Sequence, residues 1–184
     1  MHIFLDSSNE DLFIALYDDQ QKCISFFHEI NLLKKVEKIP VFFEKLLSKN
    51  NLKITNIKAI YLNLGPGTFT GSRISLVYAR TLVQLTNIKL FTTNTFSLID
   101  KTNYENQNIY IDAKGKKVYH AQMKNNQIVS EINILEVNQN MIISKLNFED
   151  LKLSFKNYLD IFKEEKDILA ISPLYIKKPQ IGSY

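Results

Sequence analysis

The chain is short of the residues that bend, cross-link or chemically arm a backbone: among 184 residues it has five glycines, four prolines, one cysteine, three histidines and no tryptophan. A lone Cys23 excludes an internal disulfide and brings no cluster of zinc ligands, so a reducing compartment, by default the cytoplasm, is expected. His2, His28 and His120 stand apart, and with no H-E-x-x-H pair the usual signature of a zinc peptidase is missing. No G-x-S-x-G elbow arms a serine, and Cys23 has only His28 near it in sequence. Long apolar runs are absent too. Met1-His2-Ile3-Phe4-Leu5 is cut short by Asp6, so neither a signal peptide nor a membrane span is expected.

What is present is an ordinary globular composition, 45% hydrophobic, enough to bury a core in one large domain or two small lobes. The 23 basic side chains outnumber 19 acids and are lysines apart from Arg73 and Arg80. They are scattered among acids, a weak signal for nucleic acid. Lys114-Gly115-Lys116-Lys117 and Lys177-Lys178 are small clusters that read first as solvated hairpin and tail charges.

The scarce glycines are concentrated. Three of five fall in Gly65-Pro66-Gly67-Thr68-Phe69-Thr70-Gly71-Ser72-Arg73, after the apolar run Ala59–Leu64 and before a helical pattern. A strand turning through glycines into a helix aims free N–H groups at the helix N-terminus, which suits a phosphate or a tight corner. Spacing removes the standard phosphate loops. Gly67 to Gly71 encloses three residues and lacks the Walker lysine, and the dinucleotide pattern fails because the third glycine comes one residue late.

Hydrophobic periodicity orders the rest. Strands are expected at His2–Asp6, Leu12–Tyr17 and Lys22–Phe27, then a helix from about Leu32 to Lys49 that Pro40 should kink or restart. A strand at Ala59–Leu64, a helix from Thr70 to Leu85, a strand at Lys89–Thr92 and a short helix from Thr95 complete a βββαβαβα lobe over residues 1–104. Residues 105–184 form a second, curtailed lobe: strands at Asn108–Asp112, Lys117–Met123 and Gln127–Leu135, a helix near Phe148–Lys163 and a proline-bounded tail. Each meander opens with a strand ending in an aspartate, Asp6 and Asp112, as a duplicated unit would.

Four stretches carry a family likeness: Asp6-Ser7-Ser8, the Gly65–Ile74 run, Ile111-Asp112-Ala113-Lys114 through Val118-Tyr119, and Pro173-Leu174-Tyr175-Ile176-Lys177. In that order they resemble the D-T-S, G-P-G-S-F-T-G-L-R-I, D-A-R-R-x-E-V-Y and P-x-Y-L-R motifs of the TsaB (YeaZ) family. The resemblance implies an α/β fold of two RNase H-like lobes of the actin/sugar-kinase/Hsp70 (ASKHA) type, with the second lobe shortened. It also implies a non-catalytic scaffold that binds the enzyme TsaD and supports threonylcarbamoyl transfer to the adenosine next to the anticodon of tRNA. ATP or ADP and metal are then expected on the partner subunits, with none of its own. A TsaE-like ATPase would join through the complex, the chain would pair with itself when alone, and tRNA would be met only indirectly or weakly.

The family frame also marks departures. Working ATPases of this fold have a glycine-rich first hairpin, whereas here the turn is Ser7-Ser8-Asn9-Glu10; TsaD holds metal through H-x-x-x-H, whereas the matching place reads Thr93-Asn94-Thr95-Phe96-Ser97-Leu98. An ASKHA-type kinase or ATPase is the alternative, and a glycoprotease-like metallopeptidase a more distant one. If an anion or nucleotide is held, the candidates are Asp6, Ser7, Gly65, Gly67, Thr68, Thr70, Gly71 and Asp112.

The helix after Gly71 is apolar on more than one side, with Ile74, Tyr78 and Leu82 along one and Leu76, Ala79 and Val83 along another. Such a helix needs a second cover, either the Leu32–Lys49 helix or another chain. In TsaB members these two helices join TsaD, which makes Ile39, Phe42, Leu46, Arg73, Leu76, Val77, Arg80 and Val83 the expected partner interface. Arg73 and Arg80, seven apart, would anchor it through carboxylates.

Overall fold

The computed structural model describes residues 1–101 and 107–176; Lys177 and Lys178 lie outside the described residues. Strands β1 (His2–Asp6), β2 (Leu12–Tyr17) and β3 (Cys23–Glu29) form an antiparallel meander. β4 (Ala59–Asn63) runs parallel to β1, and β5 (Lys89–Thr93) parallel to β4. Helices α1 (Lys35–Lys49) and α2 (Phe69–Leu85) cover one face of this sheet.

All six residues of β2 are buried, because alternate side chains feed two cores. Leu12, Ile14 and Leu16 face α1 and α2 together with Ile3, Leu5, Ile60 and Leu62. Phe13, Ala15 and Tyr17 face the other way with Phe4 and Tyr61, under a lid of Leu151, Phe155, Tyr158 and Phe162. A sheet covered on both faces reads as continuous apolar runs, which is why its strands are visible in sequence.

That lid comes from the end of the chain, where one helix over Phe148–Lys163 was expected. Instead α4 (Phe148–Ser154) tightens into a 3₁₀ stretch, Phe155–Ile161, and the chain then extends as β10 (Lys163–Glu165), antiparallel to β5. The spacing 151, 155, 158, 162 suits a helix throughout, but Phe162 is reached in extended backbone. The six-stranded order is β10-β5-β4-β1-β2-β3. Residues 148–165 therefore complete the first sheet instead of extending the lobe expected over 105–184.

α1 starts at Lys35 rather than Leu32, leaving Leu33 97% exposed, and continues through Pro40 without a break. The second sheet holds β6 (Gln107–Asp112), β7 (Lys117–Lys124), β8 (Gln127–Ile128) and β9 (Asn133–Glu136). β8 and β9 divide the single strand expected at Gln127–Leu135. Met123 pairs with Ile128 but His120 with Asn133, so two extra residues bulge between them, and Ser130 Oγ accepts the Gln122 N–H there. Helix α3 (Thr95–Asp100) closes the back of this sheet with Phe96 and Ile99. No helix among the described residues is long and apolar enough to cross a membrane.

Candidate functional site

Parallel pairing of β1 with β4 sets Leu5 beside Leu62, so Asp6 and Asn63 end the two strands as neighbours. Both are buried. Asp6 Oδ1 accepts from Ser8 N at 2.8 Å and from Asn63 Nδ2 at 3.2 Å. Asn63 Oδ1 accepts the Gly65 N–H at 3.0 Å, and Thr95 Oγ1 donates to Pro66 O at 2.9 Å. Burial pushes the Asp6 carboxyl above its usual range, opposed by the Ser8 and Asn63 hydrogen bonds and the nearby Lys35 charge.

The glycine run lies directly on the first hairpin turn. A Cβ on Gly67 would stand 2.1 Å from Ser8 O, and one on Gly71 1.9 Å from Ser7 O. Glycine is required there by backbone packed on backbone. Thr68 N donates to Ser8 O at 2.5 Å, Thr68 Oγ1 to the same oxygen at 3.1 Å, and Ser7 Oγ to Gly71 O at 2.7 Å. Thr68 also caps α2, accepting from Gly71 N at 3.2 Å. Gly65, at φ +90°, forms the corner.

Lys35 completes the turn from the far side. It is 7% exposed, and its ammonium donates to Ser7 O at 3.0 Å and to Asn9 O. Burial lowers its pKa, with Asp6, Asp11 and Glu10 pulling the other way. Sequence reasoning passed over Lys35, Asn63 and Thr95. Lys35 had a signal: it occupies the apolar register of Ile39, Phe42 and Leu46, where a lysine must find buried acceptors.

In this geometry Asp6, Ser7, Gly65 and Gly67 hold the two turns together. Carbonyl oxygens of Ser7 and Ser8 fill the cradle. Thr68, Thr70 and Gly71 do line a cleft of about 470 Å³ beside Leu33, Val36 and Ile74. Asp112 caps its own turn by accepting the Lys114 N–H at 2.8 Å, and Lys114 Nζ links Asp112 to Glu10 across the two hairpins.

The expected interface divides as well. Ile39, Phe42, Leu46 and Leu76 are at most 5% exposed and belong to the core between α1, α2 and the sheet. Val83 is half-buried against that core, while Val77 is 60% exposed. Arg73 and Arg80 hold the chain's own tail: Arg73 Nε donates to Tyr175 OH at 2.5 Å, and Arg80 Nη2 to Ile171 O at 2.5 Å. The exposed apolar residues on and beside the two helices include Ile30, Leu33, Val36, Val41, Val77 and Leu85.

Comparison with known families decides the assignment. The model described as TsaD: tRNA N6-adenosine threonylcarbamoyltransferase matches residues 32–151. The chain belongs to the TsaD family. Relatives of this member include uncharacterized protein MG208 of Mycoplasma genitalium, 28% identical over 96% of this chain and 95% of its own. The MG208 homolog of Mycoplasma pneumoniae is 31% identical over 52% of this chain and 50% of its own. Among solved structures, YeaZ from Pseudomonas aeruginosa aligns with a TM-score of 0.62 at 19% identity, over 77% of this chain and 70% of that one. The TsaB/YeaZ likeness seen in the motifs therefore holds, and the fold is the RNase H-like, ASKHA-type one they implied.

In this TsaD-family member the place of the H-x-x-x-H pair does not fit a metal. Asn94 Oδ1 caps α3 by accepting from Ser97 N at 3.0 Å, and Thr95 is committed to Asn63 and Pro66. Among the described residues no three His, Cys, Asp or Glu side chains are grouped as a metal would need.

Proposed function

We propose that this chain is a non-catalytic, TsaB-type subunit that docks on a TsaD-like catalytic partner and supports threonylcarbamoyl transfer to the adenosine next to the anticodon of tRNA. The observation that carries the reading is the closed contact of Ser7 and Ser8 carbonyls with Gly67 and Gly71. It turns the glycine run from a phosphate loop into a brace for α2. The braced helix offers Val77, with Val36 and Ile74 at the adjoining cleft, as an apolar docking surface. ATP and metal then reside on the partners, a TsaE-like ATPase joins through the assembly, and the isolated chain pairs with itself through the same surface.

The test mixes the purified chain with its cognate TsaD-like subunit on a sizing column, alongside calorimetry of the chain alone with Mg-ATP. Co-elution and no heat support the scaffold. Micromolar ATP affinity of the isolated chain would favour the kinase or ATPase reading, and stoichiometric zinc or iron retained through purification would favour the peptidase one.

A further inference from the structure

The open face of the second sheet takes no part in the site above. Strand alternation sends Ile109, Ile111, Tyr119, Ala121 and Met123 into the core under α3. Asn108, Tyr110, Val118, His120, Gln122 and Lys124 turn the other way; Val118 is fully buried at the β9 end, and the others are at least partly exposed. That exposed set is aromatic, amide and basic. Tyr110 and His120 are cross-strand partners with stacked rings, centroids 4.8 Å apart and planes at 20°, and both are half-exposed. Asn108 Oδ1 lies 2.9 Å from His120 Nε2 and fixes the imidazole. Beside the stack, Gln107, Asn108, Gln122, Lys124 and Val129 rim a hollow of about 270 Å³. Lys116, just before β7, and Lys124 at its end are exposed and form no ion pair among the described residues.

We infer that this face binds single-stranded RNA, with an unpaired base stacked on the Tyr110–His120 pair and base edges hydrogen-bonded by Asn108 and Gln122. Amide side chains both donate and accept, which is what base edges require. From His120 to Lys124 the strand rises about 13 Å, room for about two nucleotides whose phosphates the lysines meet. A duplex hides its base faces and uses only the lysines, and an added peptide strand would pair at a sheet edge. The chain thus touches the RNA directly, in addition to any contact made through a partner.

The test uses the isolated chain, so its result is independent of docking. A fluorescein-labelled tRNA anticodon stem-loop is titrated with the protein and its anisotropy followed, with an unlabelled single strand and a blunt RNA duplex as competitors. Saturable binding displaced by the single strand and poorly by the duplex is expected. His120→Ala and Gln122→Ala should each weaken it about tenfold, the effect of one stacked or edge-bonded base, while Tyr110→Phe retains it. Thermal melts confirm that each variant is folded. If His120→Ala does not fold, the exposed Gln122→Ala and Lys124→Glu decide the matter. No saturable binding, equal competition by duplex, or wild-type affinity in folded His120→Ala, Gln122→Ala or Lys124→Glu chains would overturn the inference.

Discussion

The carbonyl oxygen of Ser7 stands 1.9 Å from where a Cβ on Gly71 would sit, with no flexible side chain between them to give way. Gly71→Ala must push the first hairpin off the glycine turn and break the Ser7 Oγ to Gly71 O hydrogen bond. A loss of about 1–3 kcal/mol is expected, as for overpacking elsewhere. At about 2–4 °C per kcal/mol for a domain of this size, calorimetry should record a drop of several degrees. Thr70→Ala, exposed one residue away, should stay within about 0.5 kcal/mol of wild type.

Asp6 supplies a pH signature. Its folded pKa is raised, so between the ordinary carboxylate value and that raised value the folded chain holds a proton the unfolded chain has lost. Its contribution is full below the ordinary value and is lost as pH rises through the folded one. Asp6→Asn keeps an Oδ1 to accept from Ser8 N and Asn63 Nδ2 and cannot ionise. Urea titrations at a series of pH values should find the variant at least as stable as wild type at neutral pH, with any advantage shrinking on acidification. A variant equally destabilised at every pH would refute this account of Asp6.

Two adjacent residues separate docking from folding. Val77 is 60% exposed, so Val77→Glu should melt like wild type yet fail to co-elute with a TsaD-like partner. Leu76 is 3% exposed, and a glutamate there places an unpaired charge in the core, costing several kcal/mol and the fold itself. A folded Val77→Glu chain that still assembles would clear this surface of the role.

Phe155 is fully buried against Tyr17, ring centroids 4.2 Å apart, and against Phe4. Phe155→Ala should cost about 3–5 kcal/mol, on the order of ten degrees in the melt. The loss should appear as faster exchange, that is lower protection, of amides in β1 and β2, because the lid belongs to their sheet. Exchange changes confined to β6 and β7 would contradict that placement.

Much of the first sheet was legible because β1, β2, β4 and β5 are apolar runs bounded by turn residues, and the glycine run announces the start of α2. β10 was not, since Lys163-Glu164-Glu165 contains no apolar residue and is a strand only because β5 offers an edge. Its charges suit such an edge, where Thr92 Oγ1 donates to Glu165 Oε1 at 2.6 Å and Lys89 pairs with Glu164. At the site, Asp6 and the glycines stood out. Asn63 and Thr95 did not, because their roles follow from a parallel register that no local pattern encodes. The apolar breadth of α1 and α2 was read correctly as a need for double cover, but it could not tell which positions the chain covers itself.

The lid over Phe4, Phe13, Tyr17 and Tyr61 is drawn from residues 148–162, and the strand beside β5 from residues just beyond them. During translation those early aromatics leave the ribosome long before their cover exists. The first lobe therefore emerges as a sheet with one bare aromatic face and one open edge, and it closes only when residue 165 has cleared the exit tunnel. Up to that moment the nascent chain is a natural client for holding chaperones, and ribosomes stalled between β5 and α4 would display an aggregation-prone half-domain.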